Sequence, residues 1–188
     1  MKLLNTKKTY GLVARFLHWT IALLVIGLFV SGLWMRSLDY THPWYRAAPD
    51  LHTSFGLVFI AFLVFRISWR SVNMKPTPLG RARVEHALSA VVHAFLYAMM
   101  IAMAITGYLY ASADGKAPGF FGLVHFPVIL YSKTVADRSG DLHEWFAYVI
   151  IGFVVLHLVG ALKHHIIDRD DTLRRMVSGR CSSASGME

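Results

Sequence analysis

The sequence predicts an all-α protein, a four-helix transmembrane bundle with both termini cytoplasmic. Three observations carry this. Of the 188 residues, 55% are hydrophobic and only 16% charged, whereas soluble domains carry about a quarter charged residues. Four stretches are apolar for the ~20 residues that a bilayer requires. The 19 Lys and Arg are distributed unevenly among the connections. A soluble domain of this size could not hide so much apolar surface. The single Cys181 excludes a disulfide scaffold, and the aliphatic and aromatic content excludes disorder.

The four spans cover about residues 14–35, 51–69, 87–111 and 143–167 of one domain, residues 1–177. The first follows Lys2, Lys7 and Lys8 as a signal peptide would, but its apolar core is too long. No small-residue cleavage site follows it either, so it is expected to be retained. Pro76 and Pro78 mark the link between spans two and three as a non-helical turn. Residues 112–141 form the longer outer segment. Its stretch Gly119-Phe120-Phe121-Gly122-Leu123-Val124-His125-Phe126-Pro127 is too apolar for a plain solvated loop. It reads as a partly inserted hairpin or interfacial segment. Residues 178–188 read as a polar, disordered tail.

Charge sets the direction. Lys2, Lys7, Lys8 and Arg15 flank the first span, and Arg66, Arg70, Lys75, Arg81 and Arg83 belong to the link after span two. Lys163, Arg169, Arg174, Arg175 and Arg180 follow span four, which makes 14 basic residues on one side. Arg36, Arg46, Lys116, Lys133 and Arg138 make 5 on the other. The positive-inside rule puts the richer side, and both termini, in the cytoplasm. Trp19, Trp34, Trp44, Trp69 and Trp145 fall near span ends, as in an aromatic belt. The basic balance is thus a matter of topology, and no nucleic-acid motif accompanies it.

Ionisable side chains inside a membrane are functional candidates. Of the 10 histidines, His18, His52, His86, His93, His143, His157, His164 and His165 fall in or at the ends of spans. His143 and His157 are 14 residues apart on one helix. That spacing returns to nearly the same face, about 40° off, after a rise of about 21 Å. His52 matches His143 in depth, and His18 roughly matches His157. Two pairs stacked across a membrane point to two bis-histidine haems. Cys-x-x-Cys-His is missing, so the haems would be non-covalent haem b. Arg15 and Arg66, at the cytoplasmic ends of their spans, are candidate propionate partners. His93 lies at almost the depth of His18, and depth alone does not separate the two as ligands. His164 and His165 suit a helix C-terminus; His164 also keeps the face of His157 and could reach a quinone carbonyl. Asp168, Asp170 and Asp171 read as a solvated turn. A non-redox, histidine-lined metal transporter is a further reading, but it gives no reason for the 14-residue spacing.

Certain motifs carry a resemblance: Arg15-Phe16-Leu17-His18-Trp19, Leu51-His52-Thr53-Ser54-Phe55-Gly56, and Val64-Phe65-Arg66 with Pro76-Thr77-Pro78. To these are added His143-Glu144, His157, Lys163-His164-His165 and Asp171-Thr172-Leu173-Arg174-Arg175-Met176. In this order and spacing the chain resembles the bacterial cytochrome b561 family over nearly its whole length apart from the tail. The resemblance implies haem iron ligation by the pairs His18/His157 and His52/His143, and so decides against His93. It implies bound ubiquinone at His164, with Lys163 nearby. It also implies transmembrane electron transfer between a periplasmic donor and the quinone pool, with superoxide oxidation one activity of the family. That activity goes with a cationic outer surface. Here the outer segments carry five basic residues against six acidic ones, Asp39, Asp50, Asp114, Asp137, Asp141 and Glu144. Lys116, Lys133, Arg138 and His125 are the candidate steering groups for such an anion. The resembling group includes haem subunits of larger quinone-linked oxidoreductases, in which a redox protein is the donor. The expected location is the bacterial inner membrane, with lipid as the surrounding partner.

Overall fold

The computed structural model describes residues 2–79, 83–112, 115–130 and 132–181. It contains four long helices, α1 (Leu12–Arg36), α2 (Ala47–Val72), α3 (Arg83–Ala111) and α4 (Lys133–Ile166). A two-stranded antiparallel hairpin, β1 (Gly119–Phe120) and β2 (Val124–His125), lies between α3 and α4, and the short α5 (Thr172–Val177) follows α4. All four long helices are long and apolar enough to cross a membrane. At about 1.5 Å per residue, the 25 residues of α1 span about 37 Å, more than a hydrocarbon core of about 30 Å.

Local chemistry agrees with these elements. Pro49 occupies the first turn of α2, where its missing N–H costs no helical bond. Arg36 ends α1, and Lys163, His164 and His165 end α4, where cations meet the negative end of the helix dipole. Residues 74–79, which hold Pro76 and Pro78, have no regular structure.

α4 begins at Lys133, ten residues before the expected span start at His143. The irregular outer segment is correspondingly shorter than residues 112–141. Lys133–Leu142 is too polar to count as a span, but its backbone still closes helical bonds. The extra turns carry the helix beyond the bilayer.

The helices pair as α1 with α2 and α3 with α4, and the two hairpins meet each other much less closely. A small core joins them at mid-height: Ile21, Phe59, Leu63, Met100 and Ile150. Most other apolar side chains of the spans, such as Leu23, Ile26, Val155 and Leu158, are exposed on the protein and so face lipid.

The end bearing the termini is knotted together. Thr77 N–H donates to Lys7 O (2.9 Å), Arg175 Nη1 to Thr77 O (2.8 Å) and Trp19 Nε1 to Met176 O (3.1 Å). Residues 178–181 lie against this knot, with Cys181 Sγ 3.4 Å from Lys8 O. Residues 182–188 of the expected tail, and Arg81 and Asp114, lie outside the described residues.

Candidate functional site

Two histidine pairs bridge the interval between the helix hairpins, one toward each end of the bundle. His18 of α1 faces His157 of α4 with ring centroids 6.1 Å apart. His52 of α2 faces His143 of α4 at 6.3 Å. Two imidazoles on opposite sides of one metal, each bonded at about 2 Å, place their centroids about 6 Å apart. Both pairs meet that requirement. His93 of α3 approaches His157 to 5.0 Å, short of it.

The pair distant from the termini is also hydrogen-bonded by hydroxyls of neighbouring helices. Ser31 Oγ donates to Leu28 O (3.0 Å) and accepts from His52 Nδ1 (2.9 Å). Thr106 Oγ1 donates to Ala102 O (2.8 Å) and accepts from His143 Nδ1 (3.2 Å). With each hydroxyl giving its one proton to its own helix carbonyl, each Nδ1 would keep its hydrogen and each Nε2 would present a bare lone pair. This is the hydrogen-bond support that metal-bound histidines use. Gly107 makes room for it, because a Cβ there would lie 2.8 Å from His143 Cε1. Sequence reading missed Ser31, Thr106 and Gly107 as parts of this site. They lie on neighbouring helices, Ser31 21 residues from His52 and Thr106 37 residues from His143, so no local sequence signal pointed to them.

At the other pair the partner is a cation. Arg66 Nη2 donates to His18 Nδ1 (3.3 Å), Nε to the Tyr97 hydroxyl (3.0 Å) and Nη1 to Ala14 O (3.3 Å). Arg70 lies over the same Tyr97 ring at 5.3 Å. His93 is fixed by Nδ1–H donation to Ser89 O (2.6 Å). Arg15, one turn before His18, is directed toward Gly179, where a Cβ would collide with its Nη1.

His164 sits at the end of α4 with Nδ1 2.9 Å from Asp170 Oδ2 and 3.1 Å from Asp168 Oδ2. Lys163 pairs with Asp168 (2.9 Å) and with Glu85 of α3. The turn after α4 is therefore built into the histidine's surroundings rather than simply solvated. Burial alone would raise the Asp170 carboxyl, but hydrogen bonds from Thr172 and His164 outweigh it and hold it below the usual carboxylate range.

At the far end the β-hairpin is fastened over the turn of α2 that holds His52. Ser54 Oγ accepts from Phe121 N–H (3.0 Å), and Phe121 meets Phe55 edge-on at 5.3 Å. Beside it a cavity of about 520 Å³ is lined by Arg46, Pro49, Asp50 and Lys116. Lys116, His125, Lys133 and Arg138 are all exposed. Arg36 forms an ion pair with Glu144, next to His143.

Four spans with paired imidazoles held between two hairpins define a membrane cytochrome of the haem b class. Residues 9–179 match prokaryotic cytochrome b561, and the chain belongs to that family. It is similar to cytochrome b561 homolog 2 of Escherichia coli, at 41% identity over the full length of both chains. It is also similar to the probable superoxide oxidase CybB of Yersinia pestis, at 27% identity over 90% of this chain and 96% of that one. Similarity reaches the probable Ni/Fe-hydrogenase 1 B-type cytochrome subunit of E. coli, at 25% identity over 92% and 89%. The family binds b-type haem, which sets the metal-transport reading aside. The protein is a multi-pass protein of the bacterial inner membrane and serves transmembrane electron transfer.

Proposed function

We propose that this chain holds two non-covalent haem b groups and moves electrons from a periplasmic donor to membrane quinone, with superoxide as the donor and both termini in the cytoplasm. The observation that carries the proposal is the pair of cross-hairpin imidazole couples, His52/His143 and His18/His157, at 6.3 and 6.1 Å. When bound, haem would supply one-electron exchange, with His18, His157, His52 and His143 as the residues that would hold it.

The chain's own residues do the rest. Ser31 and Thr106 hold the outer imidazoles in the tautomer that ligates through Nε2. At His18, ligation through Nε2 requires Nδ1 to keep the hydrogen, so Arg66 must release that nitrogen. The released guanidinium would then be free for a propionate, whereas Arg15 is directed away, toward Gly179. Ile21, Phe59, Leu63, Met100 and Ile150 fill the space between the two sites and keep water out of it.

For quinone, His164 and Lys163 are the proposed contacts, with His164 Nδ1 engaged by Asp170 and its other ring nitrogen available to a carbonyl oxygen. Two superoxide ions give two dioxygen molecules and two electrons; the quinone takes these electrons with two protons to become quinol. On the outer side, Arg46 and Lys116 at the 520 Å³ cavity outnumber Asp50 and favour a small anion. Lys133, Arg138 and His125 add to this local field.

The test is a pyridine haemochrome assay on the purified protein, followed by superoxide-driven reduction with ubiquinone present. Two haem b per chain and quinone-dependent turnover are expected, and none or one haem overturns the reading. His18→Ala should cost the inner haem and His52→Ala the outer one. Loss of the inner haem in His93→Ala but not in His18→Ala would reassign the ligand. The hydrogenase subunit relative favours a second reading, a haem subunit fed by a redox protein. Stoichiometric co-purification of such a partner would select it.

A further inference from the structure

Between the N-terminal segment, the start of α1 and the residues after α5 lies a cavity of about 340 Å³, apart from both histidine pairs. Its wall includes Lys2, Thr9 and Tyr10 from the N-terminal segment, Arg15 from the first turn of α1, and Ser178 and Arg180 from the segment after α5. It thus brings three cations together, and among the described residues no carboxylate lines it. Lys2, Arg15 and Arg180 enter no ion pair among the described residues. Arg15 Nε is fully buried without a hydrogen-bond partner, a costly state for a charged donor.

The cavity is held in shape by contacts between distant parts of the chain. Leu12 N–H donates to Lys2 O (3.0 Å), Gly11 N–H to Asn5 Oδ1 (2.8 Å) and Trp19 Nε1 to Met176 O (3.1 Å). Gly179, at φ +68°, turns the chain over Arg15 where no Cβ fits.

We propose that this cavity binds a phosphate oxyanion, presented by the headgroup of an anionic phospholipid. Clustered cations with one orphaned N–H donor, Arg15 Nε, match an oxyanion that has several acceptor oxygens. The site lies at the end of a span, at headgroup depth, where basic pockets take anionic lipid heads. Phe16 and Leu23, exposed on α1 below it, offer an apolar path for the acyl chains. The volume exceeds that of a bare phosphate and leaves room for its glycerol ester. A lipid held there would fasten both chain ends to the bundle.

The test uses the haem-loaded full chain in phosphatidylcholine nanodiscs. Thermal unfolding is followed while either phosphatidylglycerol or inorganic phosphate is added at constant ionic strength. Phosphatidylglycerol should raise the Tm saturably and inorganic phosphate should not. The double variant Lys2→Gln/Arg180→Gln, with its haem spectrum unchanged, should bind the lipid about thirtyfold more weakly, since each surface cation is worth about 1 kcal/mol to an anionic headgroup. A saturable, variant-sensitive rise with inorganic phosphate keeps the oxyanion site but gives it a soluble source. A Tm that responds to neither, or equally in the double variant, overturns the proposal.

Discussion

Gly107 accommodates the His143 ring only because it has no side chain. A Cβ would stand 2.8 Å from Cε1 and 3.1 Å from Nδ1 of that imidazole, so Gly107→Ala must displace the ring. Under the proposed assignment, the expected result is loss of the haem at His52 and His143 with the other kept, read as a fall from two haems toward one per chain. Thr106→Val keeps the shape and removes the acceptor of the His143 Nδ1 hydrogen. Such supporting bonds are typically worth 10- to 100-fold in metal affinity, so haem should transfer to an acceptor globin faster by about that factor. An unchanged rate would show that Thr106 does not support the ligand. Asp170 adds a pH dependence of definite sign. Its carboxyl is held below the usual range by Thr172 and His164, so its stabilising contribution is complete above about pH 4 and is lost as pH falls through the lowered value. Asp170→Asn should loosen the end of α4 near neutrality and flatten its acid sensitivity, measured by amide exchange over residues 164–175.

Among the elements, the β-hairpin is the one most dependent on contacts outside itself. Phe121 and Gly122 both have positive φ, +49° and +71°, and a bulky residue in that region costs about 1–2 kcal/mol. Ser54 offsets part of this cost by accepting from the Phe121 N–H. Ser54→Ala should therefore destabilise the hairpin by about 1–2 kcal/mol, seen as faster amide exchange over residues 119–125 with the haem content unchanged. The pairing of β1 with β2 was only partly legible beforehand. The apolar run set it apart from a solvated loop, but the strand register rests on α2 supplying an acceptor 67 residues away. The early start of α4 escaped notice for a different reason. Apolarity reports which residues meet lipid, whereas the helical bonds continue wherever the backbone can close them, and Gly140 allows the Tyr110 ring to lie close against this extra stretch.

For the molecule as a whole, four spans place residues 2–12 and 172–181 at one end of the bundle, where hydrogen bonds join them to residues 74–77. The basic bias proposes that this end is cytoplasmic. A C-terminal green fluorescent protein fusion should fluoresce and an alkaline phosphatase fusion should stay inactive; the reverse pattern would invert the topology and exchange the donor and quinone sides. The amino-acid sequence by itself determined the four spans and the pairing of histidine depths, because bilayer thickness and helical rise turn position along the chain directly into position across the membrane. It could not find Ser31, Thr106, Arg46 or the partners of His164. Those depend on which faces of different helices meet. That was decided only when the hairpins α1–α2 and α3–α4 came together, because rotation about each helix axis is fixed by tertiary contact and not by the rise along it.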